Sequence, residues 1–176
     1  MSTVLEASTE ATCLSPVEIP TAIDNAFLES LIGYNARRAA LAVIGVFMER
    51  MAPYGLRVVD FSVLTLITHN PGITSRQLSS MLAILPPNLV GMIRQMQARG
   101  LIEKRPHPND RRAQGLYATA AGEQLQAQTQ QVVSTLESEA VTQLTPEERH
   151  TLIRLLRKVY QRDDPSEPIH PLPRAD

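Results

Sequence analysis

Six cations crowd one short stretch of this 176-residue chain. Arg94, Arg99, Lys104, Arg105, Arg111 and Arg112 are set against only Glu103 and Asp110, a local net charge of +4 in a chain whose total is −1. Such a concentration is the footprint of a phosphate-facing surface, although an ordinary solvated face gives the same count. Its densest part is Pro106-His107-Pro108-Asn109-Asp110-Arg111-Arg112. The prolines stiffen this tip, and arginine suits a DNA minor groove, whose negative potential attracts guanidinium. A lone carboxylate among arginines, Asp110, can pair with one of them bidentately and fix its direction.

Other chemistry finds less support. The histidines at 69, 107, 150 and 170 are widely spaced, and neither a Gly-rich phosphate loop nor a nucleophile elbow is present. The chain therefore does not read as an enzyme, and no cofactor is expected. His150 and Glu147 form an i, i+3 pair, which on a capped helix is more simply a polar face than a metal site. Cys13 is the single cysteine, so no internal disulfide or cysteine metal cluster can form. A reducing, cytoplasmic setting is expected, and a redox role for Cys13 lacks a basic neighbour in sequence to lower its pKa. No apolar run reaches the roughly 18 residues of a membrane span, and a basic, apolar signal pattern is absent at the start.

The elements that must position the cations follow from periodicity. Apolar residues make up 43% of the chain and helix formers dominate, which predicts a mainly α protein. Residues 1–20 read as a flexible arm. Ile23, Phe27, Leu31, Tyr34, Leu41, Ile44, Met48 and Met51 keep helical spacing from about Ala22 until Pro53 and Gly55. A second helix, about Val59 to His69, stops at Asn70-Pro71-Gly72. The third opens on the capping box Thr74-Ser75-Arg76-Gln77 and should bury Leu78, Met81 and Leu82. The fourth starts at Pro86-Pro87, where a missing N–H costs nothing, and runs to Gly100. Two short strands follow, Leu101 to Arg105 and Gln114 to Ala118. Thr119 caps a fifth helix, and Thr145-Pro146-Glu147-Glu148 opens a sixth that should bury Leu152, Leu155, Leu156 and Val159. Residues 163–176 are Pro-rich and read as a disordered tail.

Helix, short turn, helix and basic β-hairpin is the order of a winged helix-turn-helix, so residues 56–122 form a candidate DNA-binding domain. The fold class is α+β, mainly α with a small β-hairpin wing. The second helix of the pair suits the major groove. With Leu89, Ile93 and Met96 inward, Pro87, Asn88, Gly91 and Arg94 project outward. Asn88 can bond an adenine edge and Arg94 a guanine edge or a phosphate, while Gly91 lets the backbone approach DNA. Thr74, Arg76 and Gln77 at the start of the third helix, with Asp110, Arg111 and Arg112 in the wing, complete the candidate DNA-contacting set.

The run Pro71-Gly72-Ile73-Thr74, then Leu78, Arg99-Gly100-Leu101-Ile102, Asp110-Arg111-Arg112 and Thr119-Ala120-Ala121-Gly122 resembles the MarR family of bacterial transcriptional regulators. The resemblance covers about Leu31 to Leu156. It implies an obligate homodimer, with the first and last helices as dimerisation domain (residues 21–55 and 123–162). It also implies that Arg112 enters the minor groove, oriented by Asp110. Two departures stand out. The second wing strand ends Tyr117-Ala118-Thr119, where an aliphatic residue is commoner before the threonine, and this reads as a small packing change. Arg94 stands where acidic or neutral polar residues are commoner, which bears on the sequence read.

The long first and the last helix carry more apolar surface than a small winged helix needs, and either a second copy or their own mutual packing would cover it. A two-fold dimer sets recognition helices about 34–36 Å apart and requires a palindromic double-stranded operator. The resemblance further implies a repressor released by a small aromatic or phenolic acid, or its thioester. Tyr34, Arg37, Arg38, Phe47, Met51, Tyr54 and His69 are the candidate ligand residues, the two arginines holding a carboxylate or phosphate, forming intersubunit pairs or standing in solvent. A metal-responsive winged helix, and a winged helix that binds protein without touching DNA, are the competing readings.

Overall fold

The computed structural model describes residues 23–107 and 110–161, and for residues 110–112 the backbone alone. The expected arm at 1–20, Cys13 and the tail at 163–176 lie outside the described residues. In chain order the elements are α1 (Ala26–Glu29), α2 (Ile32–Met51), a 3-10 turn (Ala52–Tyr54), α3 (Val58–His69), β1 (Ile73–Thr74), α4 (Ser75–Leu82), α5 (Pro86–Ala98), β2 (Ile102–His107), β3 (Asp110–Ala118), α6 (Ala120–Glu139) and α7 (Pro146–Tyr160). The fold is thus mainly helical with one small antiparallel sheet, as the hydrophobic periods indicate.

The chain divides into two units at Ala36–Arg37, inside α2. In the first, the single helix expected from Ala22 is interrupted at Ser30. Side chains bond to the carbonyls around the break: Ser30 Oγ donates to Phe27 O at 2.7 Å, and Asn35 Nδ2 to Glu29 O at 2.7 Å and Leu31 O at 2.8 Å. Apolar spacing did not register this break because Ser30 and Asn35 lie off the apolar stripe. Ile23, Phe27 and Ile32 are largely exposed.

The second unit holds the core. Phe47 and Met51 from α2, Val63, Leu64 and Ile67 from α3, and Leu78 from α4 are buried together with Leu89, Ile93 and Met96 from α5. Ile102, Leu116 and Leu136 extend this core into β2, β3 and α6. Phe47 meets Phe61 edge-on at 5.8 Å between ring centroids, a favoured aromatic geometry. Between α3 and α6 the packing is partly polar: Gln126 Nε2 donates to Thr65 Oγ1 at 2.8 Å, and both Gln126 and Thr129 are buried. Met81 is an exception to expectation, being 67% exposed. In the short α4, Leu78 and Leu82 occupy the inward stripe, and Met81 stands beside it.

A larger correction concerns α7. Leu152, Leu155, Leu156 and Val159 are exposed rather than buried, and α7 has no buried residue at all. The apolar stripe is present, but no described element of the same chain covers it.

The sheet has three strands in the order β1-β3-β2, one more than the hairpin expected. Ile73 pairs with Leu116 and Thr74 with Gly115. Close approach is possible because position 115 has no side chain: a Cβ there would lie 2.9 Å from Gly72 O. Both strands of the hairpin run longer than expected, into the Pro/Asn-rich tip. Pro106 is tolerated because β2 is an edge strand.

Candidate nucleic-acid interface

The helix pair is built from its caps. Thr74 Oγ1 accepts from Gln77 N at 3.3 Å, and Gln77 Oε1 accepts from Thr74 N at 2.9 Å. This reciprocal box fixes the start of α4, and it commits the oxygens of two candidate DNA residues to the backbone. Arg76 beside them is exposed. Ala83 then takes a left-handed conformation, with φ 51, at the turn into α5. Ser79 Oγ closes the turn by donating to Ile84 O at 2.5 Å.

On α5 the inward stripe is Leu89, Ile93 and Met96, each 2% exposed or less. Pro87, Asn88, Gly91 and Arg94 stand exposed on the other face. Nothing lies within 4 Å of where a Gly91 side chain would begin. A cleft of about 430 Å³ separates α4 from α5, lined by Ser75, Arg76 and Ser79 on one side and Leu85, Leu89 and Val90 on the other.

The wing is irregular at its tip. Pro106 pairs with Gln114 and His107 with Asp110, which leaves residues 111–113 as an excursion of β3 with no opposite number. A bulge of this kind bends a strand and re-aims side chains, and Arg111 and Arg112 occupy it. The side chains of Asp110, Arg111 and Arg112 lie outside those described, so their pairing is not among the observed contacts. Nearer the base, Arg105 pairs with Glu103 and lies over the Tyr117 ring, 5.0 Å from its centroid. Tyr117 in turn packs against Gly72, whose Cβ would meet the phenol oxygen at 3.0 Å. Tyr117, in the same strand end, thus touches both a basic wing residue and the turn before β1.

Arg99 does not join this surface. Its guanidinium donates to Gly55 O at 2.8 Å and Tyr54 O at 2.9 Å. Sequence reasoning groups it with the phosphate-facing cations because clustering in sequence says nothing of side-chain direction.

The candidate ligand residues are scattered. Phe47 and Met51 are buried in the core, and Tyr54 is half-buried with its carbonyl bound by Arg99. Arg37 and Arg38 are exposed on α2, and Tyr34 belongs to the first unit. His69 is exposed, its Nδ1 2.8 Å from Thr65 O. Two further clefts occur, of about 240 Å³ at Arg50, Val132 and Glu139 and of about 530 Å³ at Leu66, Ile73 and Met81. None of the seven candidates lines these or the α4–α5 cleft. Among the described residues, no group of three or more His, Cys, Asp or Glu is placed to hold a metal ion, and no single helix is long and apolar enough to cross a membrane.

Residues 56–113, from the start of α3 to the wing, match the MarR family. The multiple antibiotic resistance protein MarR of Escherichia coli (strain K12) is 31% identical over 112 residues, spanning 63% of this chain and 78% of that protein. The chain belongs to the MarR family. As a MarR-family protein it is a DNA-binding transcriptional regulator and not an enzyme. Its fold is similar to that of the transcriptional repressor CouR bound to a 23-mer DNA duplex, with 32% identity, TM-score 0.75, and coverage of 80% of this chain and 100% of that one. It is also similar to CouR from Rhodococcus jostii RHA1 bound to p-coumaroyl-CoA, with 25% identity, TM-score 0.69, and coverage of 75% and 93%.

Proposed function

We propose that this MarR-family regulator is a homodimeric repressor that binds a palindromic operator and leaves it when a small aromatic or phenolic acid, or its thioester, binds. The observation that carries the reading is the unpartnered apolar surface flanking the DNA-binding domain. Leu41, Ile44 and Met48 on α2 and Ile153, Leu155 and Val159 on α7 are all exposed, from 38% to 70%. Helices of this kind gain most of their stability by packing an apolar face, and a second copy supplies one by two-fold symmetry. Residues 21–55 and 123–162 are accordingly assigned to dimerisation, and residues 56–122 to DNA.

Within the DNA-binding domain, Asn88 and Arg94 read base edges, Pro87 and Gly91 allow α5 to sit close, and Arg76 meets a phosphate. Thr74 and Gln77 act through the backbone they hold. Arg112 enters the minor groove, oriented by Asp110, and Arg111 contacts DNA beside it. The arginines Arg37 and Arg38 supply cationic groups to an anionic effector. Release requires that the effector bind the DNA-incompetent dimer more tightly than the competent one, since only differential affinity moves the population.

The test is a footprint on DNA upstream of the protein's own gene, repeated with aromatic acids and their coenzyme A thioesters, beside a molar-mass measurement. A dimer, a protected palindrome and release by one member of the panel are expected. A monomer that protects no DNA sinks the proposal.

A further inference from the structure

Three residues between α5 and β2 join more of the molecule than their length suggests. Arg99 is the C-cap of α5, and its two hydrogen bonds run to carbonyls 44 and 45 residues earlier, at the end of the turn that follows α2. Those carbonyls, Tyr54 O and Gly55 O, lie where a helix leaves acceptors without intrahelical partners. Gly55 turns the chain there through a left-handed conformation, φ 59, which a side chain rarely adopts. A planar guanidinium with two donors in a fixed fork suits two adjacent carbonyls better than a point charge does.

The next two residues hold a different helix. Gly100 O accepts from Thr119 Oγ1 at 2.6 Å, and Leu101 O accepts from Thr119 N at 3.0 Å. Thr119 is the N-cap of α6. Gly122, in the first turn of α6, lies so close that a Cβ would stand 2.0 Å from Leu101 O. The turn that follows α2 and the start of α6 are therefore both tied, by directional bonds, to the C-terminal end of the helix proposed to read DNA. Farther along, Arg50 of α2 pairs with Glu139 of α6, so the two long helices are also bound to each other.

We propose that the Arg99–Leu101 segment is the joint through which the long helices set the position of α5, and that Arg99 is its positioning residue. Apolar packing of Leu89, Ile93 and Met96 resists separation of α5 from the core but is non-directional. The Arg99 fork adds direction at one end of the helix. In a dimer, that direction decides how tightly the spacing of the two recognition helices is held. This inference rests on the dimeric reading above.

The experiment uses Arg99→Ala and Arg99→Lys in the full chain. The DNA probes are a palindromic duplex selected by the parent protein from a random pool, and the same duplex with one base pair inserted between half-sites. The parent is expected to lose about tenfold or more in affinity on the insertion, and Arg99→Ala to lose about threefold or less. Arg99→Lys, which can reach one carbonyl at a time, should fall between. Molar mass and the salt dependence of operator binding should match the parent, because no phosphate contact is removed. If Arg99→Ala discriminates spacing as the parent does, the joint is not where spacing is set. A salt slope shallower by about 1.8, one phosphate per protomer, instead makes Arg99 a phosphate contact. A monomeric parent overturns the dimeric reading itself, and that is read from the mass before any variant is made.

Discussion

At the scale of single residues, two helical glycines show how opposite consequences follow from similar letters. Gly91 on α5 has nothing within 4 Å of the place a methyl would occupy, whereas Gly122 on α6 would drive one into Leu101 O at 2.0 Å. Glycine inside a helix costs about 1 kcal/mol relative to alanine. Gly91→Ala should therefore raise the melting temperature by about 2–4 °C. If the bare backbone serves close approach to DNA, the same variant binds operator more weakly while being more stable, and that divergence between calorimetry and a binding titration is the expected result. Gly122→Ala gains the same propensity but forces backbone against backbone, a cost of about 1–3 kcal/mol or more, so its melting temperature should fall. The exposed face of α5 was legible at this scale. Leu89, Ile93 and Met96 follow the helical period, so the exposure of Pro87, Asn88, Gly91 and Arg94 follows from geometry. The burial of Gln126 was not legible, because a polar residue in a polar-rich helix reads as solvated until a partner such as Thr65 is located. Nor was the clamp by Arg99, whose acceptors are backbone atoms far away in sequence.

At the scale of elements, what escaped sequence reading was whatever is shorter than a period or longer than its neighbours suggest. Strand β1 has two residues, too few for alternation to register, and its signal resides in Gly72 and Gly115 rather than in apolar residues. The wing strands continue into Pro106 and Asp110 because an edge strand and a bulge tolerate what a central strand does not. Helix α7 was legible as an element but not in what covers it: the capping box and the apolar stripe are real, and no described element of the same chain covers the stripe. Thr145 Oγ1 accepts from Glu148 N at 3.2 Å, and Glu148 Oε2 accepts from Thr145 N at 2.9 Å. Loss of such a cap costs about 1 kcal/mol. If α7 is ordered mainly in the dimer, Thr145→Ala removes one cap from each protomer and should weaken dimerisation by about thirtyfold, seen by sedimentation on dilution. A helix stable by itself would instead lose the same energy in both states, and the dimer constant would not move.

At the scale of the whole molecule, a net charge of −1 says little, and distribution says much. Of the six clustered cations, Arg99 is committed to carbonyls and Arg105 to Glu103 and the Tyr117 ring. The electrostatic case for DNA therefore falls chiefly on Arg94, Lys104, Arg111 and Arg112. Each phosphate neutralised releases condensed counterions and contributes about −0.9 to the slope of log affinity against log salt. In a two-fold dimer every substitution acts twice. Arg112→Ala should therefore make operator binding much weaker and the salt slope shallower by about 1.8, with the dimer intact by mass. A monomer bound at one site would lose about 0.9, and an arginine that never reaches DNA would leave the slope unchanged. A protein-interaction winged helix would show little salt dependence in either form, because burial of apolar surface releases no counterions. One titration series at several salt concentrations thus separates the wing's role, the number of copies on the operator and the kind of partner, and an unchanged slope would remove Arg112 from the interface.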